Sequence, residues 1–168
     1  DLQSSAGAGL YDSIPNISSN DIRAVHDALV DVWKSLFTQR AVFSRSQAGI
    51  PTGDCHMAVL CQEMLTSEYA FVIHTINPAN SNEDEVLIEM TPGLGETLAS
   101  ANQRGSPYRL KYSKSQEESF VISLCSYRFK LQPSQWGGLE KKIFDYSTDT
   151  FMLDSNRLVA LGTQLGKI

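Results

Sequence analysis

Apolar residues early in the chain recur at steps of three and four: Ile22, Val25, Leu29, Val32, Trp33, Leu36 and Phe37. That period lines one face of a helix, with Ser18, Ser19 or Asn20 available as its cap. It predicts a helix running through about Thr38 with this face buried. His26 stands beside the stripe and reads as a packing or boundary histidine rather than a ligand. Upstream, residues 1–9 (DLQSSAGAG) are small and flexible in character, and GLYDSIPNIS reads as a short strand ending near Pro15. After the helix, QRAVFSRSQAGIPTGD carries Arg40 and Arg45 and then breaks at Gly49, Pro51 and Gly53.

Further on, the runs become short and rich in β-forming residues. HMAVLCQEML (56–65) and YAFVIHTI (69–76) predict neighbouring antiparallel strands, and VLIEM (86–90) a third. YRLKY (108–112) and SFVISLCSY (119–127) extend the sheet. QPSQWGGLEKK reads as an irregular connection and KIFDYS as another short strand. DSNRLVALGTQLGKI opens on a helix cap and spaces Leu158, Leu161 and Leu165 as one face of a terminal helix. There is no internal repeat. The pattern is α+β, a mainly antiparallel sheet with a long helix near the start and another at the end, and at 168 residues it predicts one domain over 1–168.

Composition changes this picture mainly by exclusion. Fourteen basic against nineteen acidic residues leave a net charge of −5, which argues against a nucleic-acid partner that needs clustered Lys and Arg. No apolar run approaches the roughly 18–20 residues of a membrane span, so a soluble chain is expected. Cys55, Cys61 and Cys125 form no CxxC pair and read as reduced, intracellular thiols. The Cys55-His56-Cys61 grouping lacks a second ligand pair to close a tetrahedral metal site. The sequence opens on Asp1 without a transit segment or secretory core, which leads us to expect a piece of something longer.

Candidate chemistry centres on TPGLGETLAS (91–100), which follows the VLIEM run. Gly93-Leu94-Gly95-Glu96 lacks the Gly-Lys-Ser/Thr of a P-loop and the third glycine of a dinucleotide fingerprint. Two readings stay open: a tight turn, or a loop that lets a ligand approach the backbone, with Glu96 placed for a metal ion or a sugar hydroxyl. In the second, the helix-like ETLASA would offer unpaired N–H groups to an anion. Gln62-Glu63-Met64, at the end of a predicted strand, could read a planar base edge or be ordinary strand-end residues. His74 could serve as acid or base, or be a satisfied strand histidine. Arg40 with Arg45, or Arg104 with Arg109, could clamp phosphate oxygens. No nucleophile elbow or HExxH motif is present.

The order of these blocks is informative. AGLYDSIPNIS, VWKSLFTQRAVFSRSQAGI, MAVLCQEML, FVIHTINPAN and PGLGETLASANQRGSPYRL together resemble the nucleotide-binding domain of the glucan, water dikinases, above all the phosphoglucan, water dikinase branch. These are relatives of pyruvate, phosphate dikinase and phosphoenolpyruvate synthase. The likeness is continuous to about residue 112 and looser beyond, where QLGKI is similar to a family helix. It implies an ATP-grasp-like fold, ATP and Mg²⁺ as cofactors, glucan as a partner through other domains, and the plastid (chloroplast stroma or its stromal surface) as the location. By resemblance, Gln62, Glu63 and Met64 face adenine, and Gly93, Gly95 and Glu96 line the ribose and phosphate side. Arg104 and Arg109 match an RGTPWRL-like stretch with Ser106 and Tyr108 substituted. In the family, ATP phosphorylates a histidine on another domain, which passes phosphate to starch glucan, and water takes the γ-phosphate.

Departures from the pattern carry expectations of their own. The family's R-S-S-A-N stretch would precede Asp1, and its carboxylate segment and Q-T-R-P-like strand would follow Ile168. His26, His56 and His74 lie outside the T-H-x-x-x-R-A-like setting of the phosphorylated histidine. The chain alone is therefore expected to bind ATP weakly and to lack catalysis. Two readings result: the central, incomplete piece of a dikinase ATP-binding domain acting in starch phosphorylation, or a dikinase-derived pseudoenzyme serving as a structural or docking subunit of a larger plastid complex, such as a photosynthetic one. The second would use uncovered sheet edges and Trp136, in a segment that departs from the family, as its interface.

Overall fold

A computed structural model describes residues 7–51, 53, 55–100, 103–144 and 153–168. The chain divides into two compact units: Asp1–Leu65 with Pro133–Leu139, and Thr66–Gln132 with Glu140–Ile168.

In the first unit, helix α1 spans Ile22–Lys34. Its cap is Asp21, not Ser18, Ser19 or Asn20. The Asp21 carboxylate accepts the backbone N–H groups of Arg23 and Ala24 at 3.0 and 3.1 Å, and a carboxylate at this end also faces the positive pole of the helix. The helix ends sooner than expected, with a 3₁₀ turn at Ser35–Phe37. Its apolar stripe is not buried as predicted: Ile22 is 78% exposed and Trp33 47%, with the Trp33 indole N–H reaching the Met57 carbonyl at 3.2 Å.

Helix α2, Gln39–Gln47, was not expected from QRAVFSRSQ, whose polar run hides the 3.6-residue period. Thr38 starts it by accepting the Ala41 N–H. Two predicted strands are absent from this unit. Residues 9–18 form none, and Asn16 takes the left-handed backbone at φ 57°. Residues 56–65 form no strand, and β1, the run they were to pair with, is an edge strand paired with β2 alone.

The second unit holds that pairing. Strands β1 (Tyr69–His74) and β2 (Glu85–Pro92) lead to the short helix α3 (Glu96–Ala99). Strands β3 (Tyr108–Ser113) and β4 (Glu118–Ser123) follow. The four strands lie in the order β1-β2-β3-β4, all antiparallel. Register sets the faces. Val86 opposes Tyr112, Ile88 opposes Leu110 and Met90 opposes Tyr108, and all six are buried. On the alternate positions Arg109 pairs with Glu89 at 2.7 Å and Lys111 with Glu85 at 2.9 Å. One face is therefore apolar and buried, while the other carries these two ion pairs beside the exposed Val72 and Phe120, following period-2 alternation.

Strands β5 (Phe129–Pro133) and β6 (Leu139–Ile143) form a two-stranded ribbon where an irregular connection was expected. Gly137 and Gly138, at φ 91° and 66°, supply the turn that the sequence reading had missed. The turn belongs to the first unit, where the Asn16 amide donates to the carbonyls of Ser134 and Gly138 at 2.7 and 2.8 Å. The expected KIFDYS strand overlaps β6 only at Lys142 and Ile143, and its residues 145–147 lie outside the described ones.

Helix α4 (Ser155–Gly166) is capped by Asp154, which accepts the Arg157 N–H at 2.8 Å. It lays Leu158 and Leu165 on the apolar face of the sheet. Gly162 and Gly166 bring its backbone close to the strands. A Cβ at Gly162 would come within 2.9 Å of the Ser119 hydroxyl oxygen, and one at Gly166 within 2.5 Å of the Tyr112 ring atom Cδ1. No helix among the described residues is long and apolar enough to cross a membrane.

Candidate functional site

The glycine loop begins where β2 stops. Gly93 is buried at φ +77°, its N–H donating to the Glu68 carbonyl at 2.7 Å and its carbonyl accepting the Ser67 hydroxyl at 2.9 Å. It bridges to Leu131 of β5, and the next N–H, of Leu94, donates to the Leu131 carbonyl at 3.0 Å. A Cβ here would run into the Leu131 carbonyl oxygen and come within 2.9 Å of Lys130 Cβ. Gly93 is thus required by close backbone packing, and it anchors the loop. Gly95 and Glu96 follow, both exposed, and open α3.

The anion-binding N–H groups expected from ETLASA are largely taken. The Thr97 N–H goes to the Leu94 carbonyl, and those of Leu98 and Ala99 go to the Gly95 carbonyl. At four residues, α3 is too short to gather an appreciable dipole.

What the loop does present is a cavity of about 210 Å³, lined among others by Glu89, Thr97, Ser100, Gln103, Arg109 and Tyr127. Thr97 is 1% exposed and its hydroxyl has no hydrogen-bond partner among the described residues. A buried hydroxyl without a partner costs about 1–3 kcal/mol. Opposite charge is close by, since Arg109 Nε donates to Glu89 Oε1 at 2.7 Å. Tyr127 closes the wall, and its phenol is pushed above the ordinary value by burial, then by the nearby Cys125 and Glu89. Gly105, at φ +127°, lets the chain pass against the Tyr127 ring.

Of the residues singled out in sequence, the structure brings Arg109 to the same cavity as Thr97 of the GLGET loop. Arg104 lines a different cleft. Gln62, Glu63 and Met64 belong to the first unit, exposed on its extended 56–65 run. The Arg40–Arg45 clamp fails. Arg45 is 1% exposed, with one guanidinium nitrogen donating to the Leu36 carbonyl at 2.6 Å, so it fastens the α1–α2 junction from inside. His26 is exposed beside Asp27, and His74 ends β1 opposite Leu87. Glu89, Thr97, Gln103 and Tyr127 were missed. Thr97 was within reach, because it follows the loop glutamate directly.

The profile of the family described as pyruvate phosphate dikinase, AMP/ATP-binding domain, matches residues 1–162. This chain belongs to that family. Its dikinase fold is accordingly ATP-grasp-like, a mixed architecture of helices and antiparallel strands, and ATP is the ligand class of the domain. Among its relatives, the chloroplastic alpha-glucan water dikinase of Solanum tuberosum is 32% identical over 155 residues, 77% of this chain and 11% of that protein. The chloroplastic alpha-glucan water dikinase 1 of Arabidopsis thaliana is 43% identical over 74 residues, 44% of this chain and 5% of that protein. A probable phosphoenolpyruvate synthase of Methanocaldococcus jannaschii is 34% identical over 110 residues, 64% of this chain and 9% of that protein. The chain thus spans about a tenth of the length of the first of these relatives.

Arg109 is a cation at the cavity and suits phosphate oxygens, with its guanidinium also paired to Glu89 at 2.7 Å. Among the described residues no three His, Cys, Asp or Glu side chains gather into a cluster, and a magnesium ion held with a nucleotide would take one or two carboxylates together with phosphate oxygens.

Proposed function

We propose that this chain is the nucleotide-holding part of a glucan, water dikinase-like phosphotransferase that acts in starch phosphorylation in the plastid, with phosphoglucan as the acceptor class. Residues 1–168 are on this reading one partial domain. The observation that carries the reading is the Thr97–Arg109 cavity behind the GLGET loop, in a chain of a dikinase AMP/ATP-binding family. The plastid and the glucan are supported by the printed names of the relatives, and phosphoglucan rests on the resemblance of the five ordered blocks alone.

Each residue has a role in this reading. By the resemblance, Gln62, Glu63 and Met64 of the first unit would face adenine, with Met64 as a soft cover for the ring. In the second unit Gly93 fixes the loop, and by the same resemblance Gly95 and Glu96 would line the ribose side. Arg109 neutralises phosphate charge, with Arg104 adding positive potential from the adjacent cleft. At about 210 Å³ the Thr97–Arg109 cavity takes a part of the nucleotide, which suits its phosphate end.

The test is a calorimetric titration of the chain with Mg-ATP, with Glu96→Ala and Gln62→Ala in parallel. Saturable binding that either substitution weakens at least tenfold supports the reading. No heat, from protein whose circular dichroism is that of a folded chain, overturns it. That outcome favours the second reading, a dikinase-derived domain that docks in a plastid complex. One observation speaks for this alternative: Trp136, 87% exposed, on a hairpin turn braced by the Asn16 amide.

A further inference from the structure

Gln103 and Gly105 line both the Thr97–Arg109 cavity and a second, larger cleft of about 520 Å³. The rest of this second lining is Arg104, Ser126, Arg128, Phe129 and Lys141. Three cations and no carboxylate line it, although the chain carries nineteen acidic residues to fourteen basic ones. Arg109, Lys111 and Lys167 of this unit pair with Glu89, Glu85 and Glu117, whereas the cleft gathers three cations with no carboxylate in its lining. Both Arg104 and Arg128 are exposed, and neither side chain has a hydrogen bond or ion pair among the described residues.

The third cation is held in place. Lys141 Nζ donates to Gln103 Oε1 at 2.7 Å and lies 4.7 Å from the centroid of the Phe129 ring. That contact engages the Gln103 carbonyl oxygen, and its NH₂ group can donate to an anion. The wall is stiff. The Ser126 N–H donates to the Ser106 carbonyl at 2.9 Å, and the Ser106 N–H to Ser126 Oγ at 2.8 Å. Like charges sharing one cleft repel each other, and a multiply charged anion entering it would turn that repulsion into attraction. Planar guanidinium forks select tetrahedral oxyanions over halides, because two parallel N–H groups match two oxygens.

We propose that this cleft is a binding site for a phosphate group, free or as a monoester, separate from the nucleotide cavity. Arg104 and Arg128 act as the forks, Lys141 as a fixed point charge and Gln103 as a neutral donor. The proposal goes beyond the nucleotide reading and stands if that reading fails, since none of Arg128, Phe129 and Lys141 lines the Thr97–Arg109 cavity.

The test is a ¹H–¹⁵N NMR titration of the whole chain with inorganic phosphate at constant ionic strength, with chloride as the balancing anion. Amides of Gly105, Ser126 and Arg128 are expected to shift along one saturable curve. Arg128→Gln or Lys141→Gln should weaken that binding roughly tenfold or more, the usual worth of one charge-assisted hydrogen bond. Both side chains are exposed, so the variants keep the wild-type amide spectrum away from the cleft. A parallel titration with glycerol 3-phosphate separates the sources: tighter binding than inorganic phosphate assigns the site to an ester, equal or weaker binding to the free anion. Glu96→Ala should leave phosphate affinity alone while weakening ATP, and Arg128→Gln should do the reverse. Shifts that never saturate, an affinity unmoved by Arg128→Gln, or an equal loss of ATP and phosphate affinity in that variant would each overturn the proposal.

Discussion

Gly166→Ala sets two forces against each other on one helix. Alanine improves helix propensity by about 0.8–1 kcal/mol in an interior position, and by less at the last residue, where Gly166 stands. Against this, the new methyl would lie 2.5 Å from Tyr112 Cδ1 and 2.7 Å from Tyr112 Cβ, distances that real methyl groups do not tolerate. Tyr112 is 4% exposed and opposite Val86 in the sheet, so its ring has no open direction in which to yield. Overpacking of this kind costs about 1–3 kcal/mol. The net expectation is a loss of about 1–2 kcal/mol, or roughly 2–8 °C in melting temperature for a chain of this size.

Urea and thermal unfolding followed by circular dichroism measure it, with an unchanged denaturant slope as the sign that only stability has moved. Gly162→Ala is the internal comparison. Its methyl would meet the Ser119 hydroxyl at 2.9 Å, a group that can rotate, so its loss should be smaller. Introducing Gly166→Ala into a Tyr112→Leu background should remove most of the penalty, giving a coupling of about 0.5–2 kcal/mol. A Gly166→Ala protein as stable as wild type, or an equal loss in both backgrounds, would refute the account of how α4 is seated.

Thr97→Val exchanges a buried, unpartnered hydroxyl for a methyl of nearly the same volume; stability should hold or rise by up to about 1 kcal/mol while calorimetry records weaker ATP binding. If stability falls by more than that, the hydroxyl has a structural partner after all. Gly93→Ala combines a left-handed backbone with a collision at the Leu131 carbonyl, and should cost about 2–4 kcal/mol in urea unfolding; a neutral result would mean the loop is free to move away from β5.

Asp84 gives a pH dependence with a definite sign. Hydrogen bonds from the Ser113 hydroxyl and from the Ser115 N–H and hydroxyl hold its carboxyl below the ordinary 3.8. The unfolded chain therefore takes up the proton first. The contribution is present above the ordinary value and is lost as pH falls through the lower folded one. Melting temperature plotted against pH should drop less steeply on the acid side in Asp84→Asn, and parallel curves for the two proteins would contradict this.

The sheet was legible because its signal is local. Val86, Ile88 and Met90 alternate with Leu87 and Glu89, and Leu110 and Tyr112 with Arg109 and Lys111, so each strand announces a face without knowing its neighbour. Asp154 and the Leu158–Leu165 spacing did the same for α4. Failures came where the outcome depended on a partner elsewhere in the chain. HMAVLCQEML has the composition of a strand, but pairing is a property of two segments that composition does not record, and β1 pairs only with β2. The α2 segment hid behind Arg40, Ser44, Arg45 and Ser46, and the one of these that is buried, Arg45, is the residue that composition would place outside. At the site, the resemblance singles out Arg109, which lines the cavity with Thr97. Thr97 is recognised only by what its hydroxyl lacks, which no pattern of residue types records.

The order of the strands along the chain also has a consequence during synthesis. β1 to β4 form a meander of neighbours, so the sheet can assemble as soon as Ser123 has left the ribosome. The helix that covers its apolar face starts only at Ser155. At about 5–20 residues per second, Val86, Ile88, Leu110 and Tyr112 wait on the order of several seconds without α4, a window in which a chaperone or another nascent chain can reach them. Rare codons between residues 124 and 154 would lengthen that wait and raise the aggregated fraction while leaving the finished molecule unchanged. For this chain, the pace of translation is a variable of yield in its own right.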